Sequence, residues 1–281
     1  MSDIGFLFRV SRPRFWIYIF GPYLVGVAAA ASGRTDFLRA NVLIYALYFL
    51  LPANLLIYGV NDIFDYETDR LNPKKDGYEE LVVPSARGRL IAAILVLNVP
   101  LLIAAYFLAP NAVVALAGFL FFSIFYSAPP IRAKTKPIVD SAFNILYVFP
   151  GIFAYKMISG SFPPLAIIAA AGLWTMAMHA YSAVPDIEAD REANVPTVAT
   201  FLGPRSTLLF CLVLYVASAA LAFEYLGAVS VVIGLVYVGM IIASLIETDR
   251  DRLFAIYRRF PILNAGIGFA IFWFVALKKL L

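Results

Sequence analysis

VLIYALYFLLPANLLIYGV, residues 42–60, runs directly into NDIFDYETD, residues 61–69, and this junction decides how the chain must fold. The first stretch carries no charge over 19 residues, about the length that crosses a hydrocarbon core as a helix. It ends in three carboxylates, Asp62, Asp65 and Asp69, spaced three and then four residues apart. On a helix that spacing stacks them on one face. Asn61 lies beside them, one i,i+4 step from Asp65, and Glu67 falls off the face. Carboxylates this close repel, and in a low-dielectric site some would take up protons unless a cation neutralised them. Hard oxygen ligands on one face suit Mg²⁺, which keeps several waters and binds through one or two carboxylates plus phosphates.

A second stretch, DIEADREAN at residues 186–194, repeats the arrangement. Asp186 and Asp190 stand four apart after another apolar run, 165–184, with Glu188 between them. An isolated acidic run is ordinarily a solvated helix end. Two runs with matched spacing, each at the end of a span, are harder to explain that way. The 124 residues from Asp62 to Asp186 hold an even number of predicted spans, so both acidic stretches emerge on one side and are expected to face each other.

The composition agrees with a membrane protein. The 281 residues are 62% hydrophobic and 14% charged, against about 45–50% and about 25% in soluble domains. The net charge of +4 does not point to nucleic acid, because the basic residues sit between apolar runs and form no continuous face. One cysteine, Cys211, excludes an intramolecular disulfide, and one histidine, His179, excludes a histidine-cluster metal site. Nine spans are predicted, at 15–31, 41–60, 90–108, 111–127, 139–156, 163–184, 206–225, 227–246 and 261–280. Pro52, Pro100 and Pro150 lie inside them as expected kinks. With the N-terminus inside, 17 of the 22 Lys and Arg residues fall on inner connections. Only Arg34, Arg39, Lys156, Lys278 and Lys279 fall outside, a bias that fixes the orientation as cytoplasmic for the N-terminus and both acidic stretches.

Between the acidic stretches runs YSAPPIRAKTKPIVD, residues 126–140. Pro129 and Pro130 stop a helix, and Arg132, Lys134 and Lys136 follow at alternate positions. If that connector is extended, the three cations project to one side and surround one anion. Acidic stretches that hold metal, basic groups that hold diphosphate and an apolar cavity for a lipid tail together describe a Mg²⁺-diphosphate site at the membrane surface. Loss of a diphosphate from an allylic carbon leaves a carbocation that needs a dry, aromatic-lined pocket.

These segments resemble the UbiA superfamily of intramembrane prenyltransferases. The resemblance covers nearly the whole chain. It rests on SRPRFW at residues 11–16, on residues 61–69 as the family's NDxxDxxxD motif, on YSAPPIRAK at 126–134, and on DIEAD at 186–190. It implies an all-α polytopic protein of nine helices around a central cavity, with residues 1–281 as a single prenyltransferase domain. It also implies Mg²⁺ dependence, and prenyl transfer from an allylic diphosphate to a lipophilic acceptor within a lipid membrane. By motif, Asn61, Asp62, Asp65 and Asp69 carry over to the first metal site, Asp186 and Asp190 to the second, and Arg132 and Lys134 to diphosphate binding. Tyr126, Lys74 and Arg12, in or beside the same segments, are further candidates for contact with substrate. The second motif departs from the pattern: many members continue to a third acid and a lysine, where this chain has Asn194 and Pro196.

Among the branches, HAYSAVPDIEADREA at residues 179–193 looks most like the lycopene elongases, which add five-carbon units to a carotenoid end. His179 lies seven residues before Asp186, two turns of a continuous helix, which places the imidazole deeper than the metals. There it is expected either to order its helix as a hydrogen-bonded buried residue, or to contact the acceptor or take a proton from the cation formed on coupling. Two other readings remain open at the level of sequence. One is prenylation of an aromatic or quinone precursor or another lipid; the other is a cation-coupled transporter, although that would place its ionisable groups near mid-bilayer. A CDP-alcohol phosphotransferase is disfavoured because the chain has no Asp-Gly-x-x-Ala-Arg element.

Overall fold

The computed structural model describes residues 3–66, 70, 80–247 and 249–280. Every regular element among them is helical. The α-helices are α1 Asp3–Val10, α2 Ile17–Ala30, α3 Ala40–Leu50, α4 Pro52–Phe64, α5 Arg87–Leu108, α6 Val113–Ser127, α7 Val139–Ala142, α8 Phe149–Ser159, α9 Leu165–Ala183, α10 Ile187–Glu192, α11 Val198–Leu202, α12 Pro204–Leu226, α13 Ala228–Ile246 and α14 Arg250–Leu280. Among the described residues eight helical stretches are long and apolar enough to cross a membrane, while α2, at 14 residues, is apolar but shorter. Leu47, Val96, Ile103, Val213, Leu235 and Ile262 are each 60–75% exposed, a surface that suits hydrocarbon rather than water.

The chain forms two compact units. The first comprises Met1–Arg132, Phe149–Phe162 and Phe269–Leu281. Its centre is an aromatic cluster of fully buried Tyr23, Tyr45, Tyr48, Phe49, Phe119 and Phe153, with Phe49 edge-on to Phe119 at 5.5 Å. Pro52 does not kink a continuous helix as the sequence suggests. The chain breaks at Leu51 (φ −120°, ψ −63°), and Pro52 opens α4, where its missing N–H is no loss. Asn54 Nδ2 donates to the carbonyls of Phe49 (3.0 Å) and Leu50 (2.9 Å), and Asn98 on α5 donates to that of Pro52 (3.1 Å). Asn54 thereby satisfies the Phe49 and Leu50 carbonyls that the break frees inside the apolar layer, and Asn98 ties α5 to the first turn of α4. In the connection between α2 and α3, the backbone N–H of Ser32 donates to Asp36 Oδ2 (2.6 Å). Together with the Arg39 guanidinium it holds the Asp36 carboxyl below its usual range, against the opposing effect of desolvation.

The second unit comprises Ala133–Val148 and Pro163–Gly268. Here α9 packs on α12, tied by Ser218 Oγ donating to the Ala170 carbonyl (2.8 Å) and by Cys211 Sγ, 3.5 Å from that of Ala177. Buried polar pairs, Tyr181 with Ser244 (2.8 Å) and Tyr237 with Asn264 (2.9 Å), fix further contacts. Two features differ from the sequence reading. The predicted span at 139–156 opens with one α turn, α7, then a 3₁₀ stretch, Phe143–Tyr147, before α8. Asn144 Nδ2 donates to the Asp140 carbonyl (2.8 Å) at that change of pitch. The last helix begins at Arg250 rather than 261, so the basic stretch expected as a loop is helical.

Candidate active site

In the first unit, α4 carries Tyr58, Asn61 and Asp62 and ends at Phe64, with Asp65 as its cap residue (φ −110°, ψ 7°). Of the predicted helical face, Asp62 and Asp65 are the carboxylates that the structure describes. Asp69, Glu67 and Lys74 lie outside the described residues. Asp62 and Asp65 are each 2% exposed. A carboxylate that far from water requires partners, and a guanidinium faces each one. Arg12 Nη2 donates to Asp62 Oδ1 at 2.7 Å, with its Cζ 4.9 Å over the Tyr58 ring one turn earlier on α4. Arg132 Nη2 lies 3.8 Å from Asp65 Oδ1, longer than a hydrogen bond. Asn61 Nδ2 donates to Asp65 Oδ2 (2.7 Å) and to Ser127 Oγ (3.0 Å), which aims the carboxylate from α4 and anchors it to the end of α6.

Backbone conformation marks the same residues. Four non-glycine residues among those described have positive φ: Arg12 (50°), Arg132 (44°), Ile138 (71°) and Asn194 (53°). Such conformations persist where the surroundings over-determine them, and they cluster at functional sites. Both arginines that face the buried carboxylates belong to this set. Tyr126 is half-buried near the end of α6. An extended connector does not form: Lys134 lies within a 3₁₀ turn, Ala133–Thr135.

In the second unit, α9 ends at Ala183 and the chain tightens into a 3₁₀ turn, Val184–Asp186, before α10. The continuous helix predicted from His179 to Asp186 is thus interrupted. Asp186 caps α10 and Asp190 lies in its first turn, where acids meet the positive end of the helix dipole. Asp190 Oδ2 accepts from Thr197 Oγ1 (3.3 Å). The structure also explains Asn194, which in the sequence reads as a missing acid. The N–H of Asn194 donates to the Arg191 carbonyl (3.1 Å) and that of Val195 to the Asp190 carbonyl (2.8 Å). With Asn194 left-handed, this is a Schellman motif closing α10, a position that Asn is among the few non-glycine residues to adopt.

Sequence reading passes over Asp140. It is fully buried: Oδ1 accepts from the Ser141 N–H (2.7 Å), Oδ2 from the Val198 N–H (2.8 Å), and Oδ2 lies 3.7 Å from His179 Nε2. The available signal is an acid inside a predicted span, which is a pointer to function in itself.

The donor sets fit a hard cation. Carboxylate oxygens predominate, with amide and hydroxyl neighbours and no thiolate or imidazole beside Asp62 and Asp65, the donor class that Mg²⁺ prefers. Among the described residues no three Asp, Glu, His or Cys side chains converge on one point, so at most two carboxylates of the described first stretch are available to one ion.

Residues 19–273 match the model of the UbiA prenyltransferase family. A lycopene elongase/hydratase from Haloarcula japonica is 42% identical over 281 residues, covering 99% of this chain and 93% of that protein. The lycopene elongase/hydratase of Haloferax volcanii is 43% identical over 95% of this chain and 87% of its own length. Among solved structures, a UbiA homologue from Archaeoglobus fulgidus bound to GPP and Mg²⁺ superposes with a TM-score of 0.70 at 20% identity, covering 95% of this chain and 99% of that one.

Proposed function

We propose a reaction for this chain from one premise: it belongs to the UbiA prenyltransferase family. It is an integral membrane enzyme that transfers prenyl groups, and the transporter reading is set aside on that ground. Our reading is that it moves a five-carbon unit from an allylic diphosphate to an end of lycopene or a related carotenoid. The near full-length likeness to lycopene elongase/hydratases supports the acceptor. The observation that carries the chemistry is the buried pair Asp62 and Asp65, each faced by an arginine.

In this reading Asp62, Asp65 and Asp69 in one stretch, and Asp186 and Asp190 in the other, hold Mg²⁺, with residues 1–281 acting as one catalytic domain. Bound Mg²⁺ neutralises charge on the diphosphate and so eases its departure. Arg132 and Lys134, with Lys74 and Arg12, bind the diphosphate oxygens by charge-assisted hydrogen bonds. Arg12 also directs the Asp62 carboxylate, and Asn61 does the same for Asp65. Tyr126 contacts the substrate. The carbon–oxygen bond breaks with its electron pair leaving on the diphosphate. The allylic carbon then takes an electron pair from the terminal alkene of the acceptor, which moves the positive charge to the acceptor. That cation loses a proton to His179, giving an alkene, or captures water, giving a hydroxyl. We place the site on the cytoplasmic side, following the distribution of basic residues.

Expression in a lycopene-making bacterium tests the reading. The expected product is a carotenoid heavier by one or two five-carbon units, its formation abolished when membranes are stripped with EDTA and restored by Mg²⁺. Unaltered lycopene together with prenylation of an aromatic acid or quinone precursor would reject the carotenoid acceptor.

A further inference from the structure

We propose that Asp140 is a positioning residue for prenyl transfer: it sets which ring nitrogen of His179 carries the proton, and through Val198 it steadies the segment that caps Asp190. The proposal rests on the reading of His179 as the group that takes the proton from the coupled product. Asp140 cannot itself meet substrate or metal, because its side chain is 0% exposed. A carboxylate is retained in such a place only when its charge is compensated. Two backbone N–H groups supply part of that, from Ser141 and from Val198, 58 residues away in sequence. The third neighbour is the Nε2 edge of His179 at 3.7 Å. That separation exceeds a hydrogen bond, so the carboxylate acts on the ring by charge. A negative oxygen beside Nε2 favours the tautomer with its proton there and leaves the lone pair on Nδ1.

The backbone supports the same assignment. Two residues before Asp140, the β-branched Ile138 has φ 71° and ψ −44°, a sparsely populated conformation for such a residue. The strained residue directly precedes α7, whose first turn carries the carboxylate inward. On the other side, Val198 is the first residue of α11 and follows Thr197. Thr197 caps α11 in a reciprocal pair with Thr200 and donates to Asp190 Oδ2 (3.3 Å). Asp140 therefore contacts, through one carboxylate, both the histidine and the start of the helix whose cap residue reaches an expected metal ligand.

In the step it serves, a C–H bond beside the cationic carbon breaks, its electron pair closes the new double bond, and the proton passes to Nδ1 of His179. The imidazolium so formed lies beside the Asp140 carboxylate, whose Oδ2 is 3.7 Å from Nε2. With Nδ1 protonated beforehand, no base is presented, and water capture takes a larger share of the product.

A chain with one histidine allows a direct reading. Tag-free protein labelled with ¹⁵N in its imidazole nitrogens and reconstituted in lipid nanodiscs should show a single histidine, mainly in the Nε2–H form. Asp140→Asn should lower that excess. On lycopene it should raise the ratio of hydroxylated to dehydrated ends by about tenfold, in the same direction as His179→Ala and not additively with it, while KM for the donor stays unchanged. Val198→Pro removes the N–H that Asp140 accepts and also alters a buried side chain, at a first helical position where proline fits, and should keep the wild-type tautomer. A wild-type spectrum dominated by Nδ1–H would overturn the proposal, as would an Asp140→Asn spectrum identical to wild type. If Asp140→Asn does not accumulate, the wild-type and Val198→Pro spectra decide. The tautomer is read without turnover, so failure to elongate lycopene would count against the acceptor alone.

Discussion

Asp65 and Asp190 illustrate how much a single residue reveals through its place in the sequence. Both are legible because carboxylates at the end of an apolar run are expensive to place without a purpose, and their spacing suggests one. What spacing does not convey is the identity of the partners. Arg12, 50 residues from Asp62 in sequence, donates to it, and no local pattern links the two. Asn194, where the motif lacks its third acid, shows a role that spacing does not convey: its left-handed backbone closes a helix. Replacing Asp65 or Asp190 with Asn keeps the shape and removes one charge. Each should lower turnover at least ~100-fold, as removal of a preorganised electrostatic contact does, with the amount of folded protein in the membrane unchanged. An Asp65→Asn enzyme with wild-type turnover at saturating Mg²⁺ would remove this residue from the metal site.

Elements are predictable where hydrophobicity alone sets them, and less so where packing does. The apolar runs at 90–108, 206–225 and 227–246 return as α5, α12 and α13 with ends shifted by a few residues, because a span is a matter of length and composition. Foreseeing the break between α3 and α4 requires knowing that Asn54 satisfies the freed Phe49 and Leu50 carbonyls. The close approach of α2 and α8 is likewise invisible in the sequence. A Cβ on Gly26 would collide with the Gly151 carbonyl oxygen, so the two helices meet backbone to backbone, as small residues permit in a membrane. Gly26→Ala must push them apart, and overpacking of this kind costs about 1–3 kcal/mol. Gly239, also helical, has nothing within 4 Å of the place a Cβ would occupy. The expectation is a lower thermal aggregation midpoint in detergent for Gly26→Ala and no decrease for Gly239→Ala. Equal midpoints for both would mean that α2 and α8 do not meet as described.

At the scale of the whole molecule, the distribution of charge makes the strongest statement. Seventeen of 22 basic residues fall on the inner side of the spans read from the sequence, four of them in the opening turns of α14 and not in a loop, and a bias of that size is expected to orient a polytopic chain as it inserts. The prediction is an inside N-terminus, with the connection after α2 outside and that before α5 inside. Cys211 makes the test simple: it is the only cysteine and is buried, so Cys211→Ala gives a background without thiols. Ser32 and Ser85 are both exposed, one in each connection. In intact cells, a membrane-impermeant maleimide should label Ser32→Cys at once and Ser85→Cys only after permeabilisation. The opposite pattern would turn the protein over and put Asp62, Asp65 and their arginines on the outer face. Allylic diphosphates are made in the cytoplasm of any cell that draws them from soluble synthases, and their charge bars them from crossing a bilayer unaided. An outward-facing site would therefore be cut off from its donor, which ties the labelling result to the reaction as well as to the topology.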